Sequence, residues 1–519
     1  MPTSLMCRTG WNAVWRVTPC SADFRSRRPH SVIAQRHEGF RAREIAGAWC
    51  LGDWSGTLLR RAIQIPVKER SQVRRILKWA AWILLAVVAI TVVLWLVSRY
   101  RGPSATQTAA LALMQDRAPL PPGENAFPAI WLLDYDVPRE QLQAVAEADV
   151  AQSSVTVTPA GDGLVVESQR AALTGFEQQR PSREDAQLFC NGGDIDCLAR
   201  VRADLGAYEG LIARHRGLLD RVAALQDYGY YRSPPSAQSH AMLPPLEPAG
   251  YELTRVAWQF ANGDVDGALA GACNGVQTWR RLGANSDALL MRSVADGYTD
   301  RYIRLLAGML KEVGPTHELP TSCATAFAAP TVADASLCEA MRGEFVVSTH
   351  HIRQLVTDPE TITGKIPAPS PKTLVWDPDK SLGILAEGHS WACSESTASN
   401  LVNDVRVDPG QNRQSLWRLE CVANPSGCIL ADIAFPAYYN YQWKAQDHAA
   451  RLELMGALLW LRTNATADEP LEPQLMAYWQ HRRGNRELRL ADDGRTVALQ
   501  LYADGPEKWW SLPFFPAAE

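Results

Sequence analysis

The sequence predicts a mainly α protein. We expect an irregular αα-hairpin bundle with a tetratricopeptide-like (TPR-like) join and one or two β-hairpins, tethered by one N-terminal transmembrane helix. Three observations carry that expectation. One stretch of nineteen residues has no charge. Several long segments repeat apolar residues at helical spacing. Strand-like alternation occurs in only two places.

The uncharged stretch is WAAWILLAVVAITVVLWLV, residues 79–97. At about 1.5 Å per residue it crosses most of a roughly 30 Å hydrocarbon core. A helix satisfies its own backbone there, so lipid can surround it. Trp79 and Trp82 stand near one end and Trp95 near the other, where amphipathic rings favour the interface. Lys68, Arg70, Arg74, Arg75 and Lys78 crowd the N-terminal flank, and fewer basic residues follow the run. The positive flank marks the cytoplasmic side. The expectation is an uncleaved signal-anchor over 79–98, in a bacterial inner membrane, with the C-terminal part in the periplasm. A cleaved signal peptide fits less well. Its apolar region is shorter, and Ser98-Arg99-Tyr100-Arg101 is a poor cleavage site.

Residues 1–78 read as a basic cytoplasmic tail. Residues 1–66 hold ten Arg, no Lys and no apolar period. They are either a basic tail that meets anionic lipid heads or a start-site artefact, with translation beginning at Val67. Residues 1–100 carry sixteen basic and five acidic side chains. The net charge of −4 therefore leaves about −15 for the remainder. Such an acidic part is a poor partner for nucleic acid, and its charge should hold it off anionic lipid. Residues 99–123 read as a proline-rich linker, stiff at RAPLPPG, with a short helix possible in TQTAALALM. Residues 124–519 read as the mostly helical outer domain.

Eight cysteines follow the apolar run, an even number that suits a disulfide-bonded exported domain. Cys190 with Cys197 and Cys421 with Cys428 each enclose six turn-forming residues and are the favoured local pairs. Cys323 with Cys338 is a third candidate. Zinc ligands favour spacings of two to four residues, which these loops lack.

Leu198, Val201, Leu205, Tyr208, Ile212, His215, Leu219 and Val222 alternate three and four apart and predict one continuous helix over 194–228. The run 251–313 divides at Asn262-Gly263 and at Gly283-Ala-Asn285, which predicts helices at 251–261, 264–281 and 286–312. The join FANGDVDGALAGACNGVQTWRRL is the TPR-like element, but only one unit fits and a solenoid needs about three. Further helices are expected at 333–357, 434–463 and 473–482. VTVTPAGDGLVVE at 155–167 and RELRLADDGRTVALQLY at 486–502 read as β-hairpins. Residues 359–382, with five prolines, read as a long loop.

GENAFPAIWLLDYDVP at 123–138 and NPSGCILADIAFPAYYNYQWKAQDHAARLELMGALLWLR at 424–462 resemble a set of uncharacterised bacterial single-span envelope proteins. The resemblance implies an envelope location and a helical outer domain. It implies no activity and no catalytic residue.

The chemistry available is thin. Gly388-His389-Ser390-Trp391-Ala392 resembles a nucleophile elbow, which needs a strand before it and a helix after it. Ser390 with His448 is therefore the candidate pair for an envelope hydrolase, the alternative function. Neighbouring His350 and His351 point about 100° apart on a helix and do not share an ion easily. Asp447 and His448 are sequence neighbours and do not face each other. No phosphate-cradling glycine loop occurs, so no cofactor or metal is expected. Tyr230, Tyr231, Tyr439, Tyr441 and Trp443 are either packed core or a groove that grips a peptide or glycan. The favoured function is a non-enzymatic binding or scaffold module of the cell envelope. Its expected partners are the bilayer through 79–98 and an envelope protein, peptide or glycan.

Overall fold

The computed structural model describes residues 67–152, 154–160, 163–169, 173–190, 196–234, 244–357, 375–408, 418–465, 469–483, 485–491 and 495–514. The expectations for residues 1–66 lie outside the described residues. The chain divides into two units, residues 1–94 with 157–166 and residues 95–156 with 167–519.

The first unit contains most of α1 (Val67–Tyr100), a 34-residue helix. Among the described residues it is the one helix long and apolar enough to cross a membrane. From Trp79 to Leu94 its large apolar side chains are exposed. Thr91 satisfies its hydroxyl on the Val87 carbonyl within the helix. The first unit also holds the tip of the expected hairpin, formed by β2 (Ser154–Ala160) and β3 (Gly163–Gln169).

The second unit is mainly helical. It opens with the last turn of α1 and then α2 (Ala105–Gln115), which Ser104 and Gln107 start with a reciprocal capping box. Residues 105–115 are not a free spacer. Ala110 and Met114 are buried with Phe345 and Ala386. β1 (Glu124–Asn125) and α3 (Phe127–Trp131) follow, then α4 (Leu142–Gln152). The buried Trp131 indole donates to Asp149 and ties α3 to α4.

The predicted single helix over 194–228 is instead broken. After α5 (Arg183–Leu188) come α6 (Cys197–Ala203), α7 (Leu205–Arg214) and α8 (Arg216–Ala223). Asp204 leaves helical geometry to cap α7 through the Ala207 N–H. His215 breaks the chain again and meets Asp185 at 2.7 Å. The spacing still identifies the inner face, since Val201, Tyr208, Leu219 and Val222 are buried. Two local polar contacts divided a seam that periodicity alone reads as continuous.

β4 (Tyr228–Tyr230) pairs parallel with β1. Then α9 (Glu252–Ala261), α10 (Val265–Ala284) and α11 (Leu289–Glu312) pack in succession near the expected boundaries. Asp264 caps α10. Small residues let α10 sit close to its neighbours. A Cβ on Gly275 would lie 2.5 Å from the Tyr302 ring. α12 (Thr321–Ala326), α13 (Val332–Ala335) and α14 (Cys338–Thr357) follow.

Residues 359–374 of the expected long loop lie outside the described residues. Its end is helical instead, because Asp377 caps α15 (Pro378–Ser390) and Pro378 occupies the first turn, where a missing N–H is harmless. α16 (Glu395–Val402) and α17 (Glu420–Ala423) lead to the 40-residue α18 (Pro425–Asn464). The second half of α18 enters the main core through Leu452, Leu454, Met455, Leu458 and Leu461. Its first half packs on α15 through Ala431 and Phe435. α19 (Leu471–Arg483) precedes β5 (Leu488–Leu490), β6 (Thr496–Gln500) and β7 (Trp509–Pro513). These strands form an antiparallel sheet in the order β5-β6-β7, with Leu488 opposite Leu499 and Leu499 opposite Trp510. Sequence alternation predicts the first two strands and misses the third.

All eight cysteines of this unit are paired: Cys190–Cys197, Cys273–Cys323, Cys338–Cys393 and Cys421–Cys428. The expected Cys323–Cys338 pair is corrected. Cys323 lies on α12 beside α10, within reach of Cys273, and Cys338 opens α14 beside the end of α15, within reach of Cys393.

Candidate functional site

The elbow reading fails on local structure. Ser390 is the last residue of α15, with helix before it rather than a strand. Its hydroxyl donates to the Glu387 carbonyl at 3.2 Å, an ordinary back-bond within a helix. His448 is buried on α18, where its Nε2 is 3.6 Å from Asp296 on α11. Burial is the main influence that lowers its pKa, against Asp296. Ser390 and His448 therefore have separate partners and form no dyad.

Asp447 faces Arg486 and the Tyr502 and Ala503 N–H groups. The His350 and His351 rings are 6.4 Å apart. Among the described residues no cluster of His, Cys, Asp and Glu fits a metal ion.

The aromatic candidates also separate. Tyr231 is buried edge-on to Phe127, and Tyr230 ends β4 half-buried. Tyr439 packs edge-on to Trp391. The Trp443 indole donates to the Val407 carbonyl, with the Arg406 guanidinium 3.7 Å above its ring. Tyr441 is exposed beside Lys444. Most of these rings are held by local packing rather than by a shared groove.

A different constellation forms where the chain turns from α10 to α11. The bridge between Tyr231 and Ser286 brings Arg232 and Ser233 against this turn. The second turn of α14 approaches it from another side. A Cβ on Gly343 would fall 1.7 Å from the Asp287 carbonyl oxygen, so only glycine permits the approach. Arg117, beyond the end of α2, completes the wall. The result is a cavity of 120 Å³ lined by Arg117, Arg232, Asp287, Glu339 and Arg342, among others.

Charge inside this cleft is mixed. Arg342 donates to Glu339 and, through Nε, to the Leu113 carbonyl. Arg232 meets Glu339 at 3.4 Å and donates to the Asn285 carbonyl. Glu339 thus balances two guanidinium groups. Arg117 has no ion-pair partner among the described residues.

Asp287 is 4% exposed. Its Oδ1 accepts from the Ser233 N–H at 3.1 Å, while its buried Oδ2 has no hydrogen-bond partner among the described residues. Burial pushes its pKa up to about 6, against the Ser233 N–H, Arg232 and Arg117. Asp287 and Arg117 both line this small cleft, so it can hold a ligand that carries both a donor and an anionic group.

Sequence reasoning missed Arg117, Arg232, Asp287, Glu339 and Arg342. They come from four segments far apart in the chain, and only Glu339 and Arg342, three apart on α14, are linked by helical spacing. The turn at Gly283-Ala-Asn285 was the one local signal near the site.

Fold and site define a disulfide-braced helical body with a small polar cleft, in a chain that also carries one long apolar helix. Comparison with known proteins finds no matching protein family, no matching curated protein and no matching solved structure. The sequence resemblance noted above therefore adds nothing about activity.

Proposed function

We propose that this chain is a single-span protein of the bacterial inner membrane, with its N-terminus cytoplasmic. Its helical body faces the periplasm and acts as a non-enzymatic binding module of the envelope. The ligand we assign to the α10–α11 cleft is the end of a peptide or another zwitterion. An ammonium group would meet the Asp287 carboxylate, and an anionic group would meet Arg117.

The observation that carries this reading is the half-satisfied Asp287. Leaving a buried carboxylate oxygen without a donor costs about 1–3 kcal/mol. Groups held at such a cost cluster at functional sites. Pairing of all eight cysteines after the apolar helix supports an oxidising compartment. The basic flank before residue 79 supports the orientation. The stacked α9, α10 and α11 supply an αα-hairpin frame of the kind TPR-like modules use.

Calorimetry on the full chain in detergent micelles tests the reading. Trialanine with a free amine should bind, and its N-acetylated form should not. Asp287→Asn should lose the binding and Arg117→Gln should weaken it. Equal binding of both peptides, or of neither, refutes the assignment.

A further inference from the structure

The geometry points to a second contact with the bilayer. We infer that α17 and the first half of α18 form an apolar ledge resting in the lipid interface beside the exit of the span. The inference rests on the reading that residues 79–97 cross the membrane. It runs against the expectation that an acidic body stands off anionic lipid.

Ser98 immediately follows the apolar run, so it marks the headgroup level on that reading. Its hydroxyl accepts from the Ala423 N–H at 3.0 Å and is buried there. Arg99 pairs with Asp377 at 2.8 Å, and the Lys380 ammonium donates to the Arg101 carbonyl. The Asp377 N–H donates in turn to Asn424. The last turn of α1 is thus stitched to residues 377–380 and 423–424. Whatever flanks those residues sits at the same depth.

Apolar side chains flank them. Ile433 is 71% exposed, Leu430 60% and Ile429 48%, with Val422 and Val375 also open. Ile429 and Ile433 lie one turn apart, so they share a face of α18. Pro436 and Ala437 continue that face, also exposed. The Cys421–Cys428 disulfide closes the turn between α17 and α18 and holds Val422 near the start of this face. The half-exposed Trp376 sits beside Asp377, the kind of ring found at membrane interfaces.

Composition agrees. From Cys421 to Trp443 the chain has a single charged residue, Asp432, which is half-buried. The body as a whole is acidic, so this face is an exception within it. Exposed rows of large apolar groups on a soluble surface mark a contact site. Here the row adjoins the end of the span, with Arg101 and Lys380 at its edge for lipid phosphates. The occupant those features select is the bilayer itself. Asp379 is the exposed acidic side chain nearest this basic edge in sequence, beside Lys380.

Photolabelling tests the ledge on the full chain. The protein is reconstituted in phosphatidylethanolamine and phosphatidylglycerol vesicles that carry a lipid with a diazirine high on its acyl chain. Tryptic peptides 79–99 and 419–444 are then searched for lipid adducts. Both peptides should be labelled, the second at Ile429, Leu430 or Ile433. The variant Ile429→Glu with Ile433→Glu should lose the second set and keep the first.

Labelled 79–99 with unlabelled 419–444 overturns the ledge and leaves the span standing. No label on either peptide overturns both. Label on 419–444 that survives the double substitution also overturns the ledge. So do crosslinks from that peptide to a second copy of the chain in place of lipid.

Discussion

Removal of Arg486 should damage the body severely. Its side chain is fully buried, and so, nearly, are Asp404 and Asp447. Two of its nitrogens donate to Asp404 at 3.0 Å each, and a third donates to Asp447 at 2.6 Å and to the Gln500 carbonyl at 2.9 Å. Burial alone would lower its pKa, but Asp404 and Asp447 outweigh burial and raise it. This one guanidinium ties the α16 exit, the middle of α18 and the C-terminal sheet together.

Arg486→Met leaves two carboxylates buried without their cation, a loss of roughly 3–5 kcal/mol. Unfolding entropy of about 2 cal/mol/K per residue, over about 400 residues, converts this to a melting-temperature drop of roughly 5 °C. Differential scanning fluorimetry of the full chain in micelles reads it. Adding Asp404→Asn and Asp447→Asn removes the stranded charges, and the new amide oxygen at position 447 can still accept from the backbone. The triple variant should therefore recover part of the loss. A melting temperature for Arg486→Met within about 1 °C of wild type, or a triple variant no better than the single one, refutes the reasoning.

Other substitutions probe other parts of the account. His389 is fully buried among Phe345, Phe435 and Tyr438; its Nδ1 faces the Leu385 carbonyl. Burial holds its pKa down to about 4, so stability present above pH 6.5 should be lost as pH falls towards 4. The loss is about 3 kcal/mol, and His389→Phe should abolish that part of the pH dependence of the melting temperature. Asp287 has the opposite sign. Its raised pKa means stability is complete below about pH 4 and is lost as pH rises through about 6. Asp287→Asn should therefore raise the melting temperature at pH 7.5 while losing peptide binding; a lower melting temperature would contradict this. The Cys338–Cys393 bridge spans 55 residues and Cys190–Cys197 only 7. Serine substitution of the first pair should cost about 4 kcal/mol and of the second about 2 on loop-entropy grounds, read by denaturant melts. Equal losses would contradict that ranking.

Much of the helical frame was legible in the sequence, and the reasons are local. The breaks at Asn262-Gly263 and Gly283-Ala-Asn285 located α9, α10 and α11, because turn residues and apolar period agreed there. The elements that periodicity misjudged were decided by polar contacts instead. Asp204 and His215 split an apparently continuous helix, and Asp377 started α15 inside a segment that reads as a loop. Disulfides followed the same division. Cys190–Cys197 and Cys421–Cys428 close short turns, whereas Cys273–Cys323 and Cys338–Cys393 depend on which helices become neighbours.

Of the candidate site only the turn at Gly283-Ala-Asn285 was legible. Asp287, Arg232, Glu339 and Arg342 look like ordinary surface charges until the chain brings them together. Ser390 was the reverse case. Its motif was visible, but the helix before it removes the strained turn that gives such a motif its meaning.

The most direct test of the account is the side of the membrane on which the C-terminus lies. Alkaline phosphatase and green fluorescent protein, fused in turn after Glu519 and expressed in bacteria, read it out. The account predicts an active phosphatase and a dark fluorescent protein. An inactive phosphatase with a bright fluorescent protein would place the body in the cytoplasm and contradict the exported, disulfide-braced module proposed here.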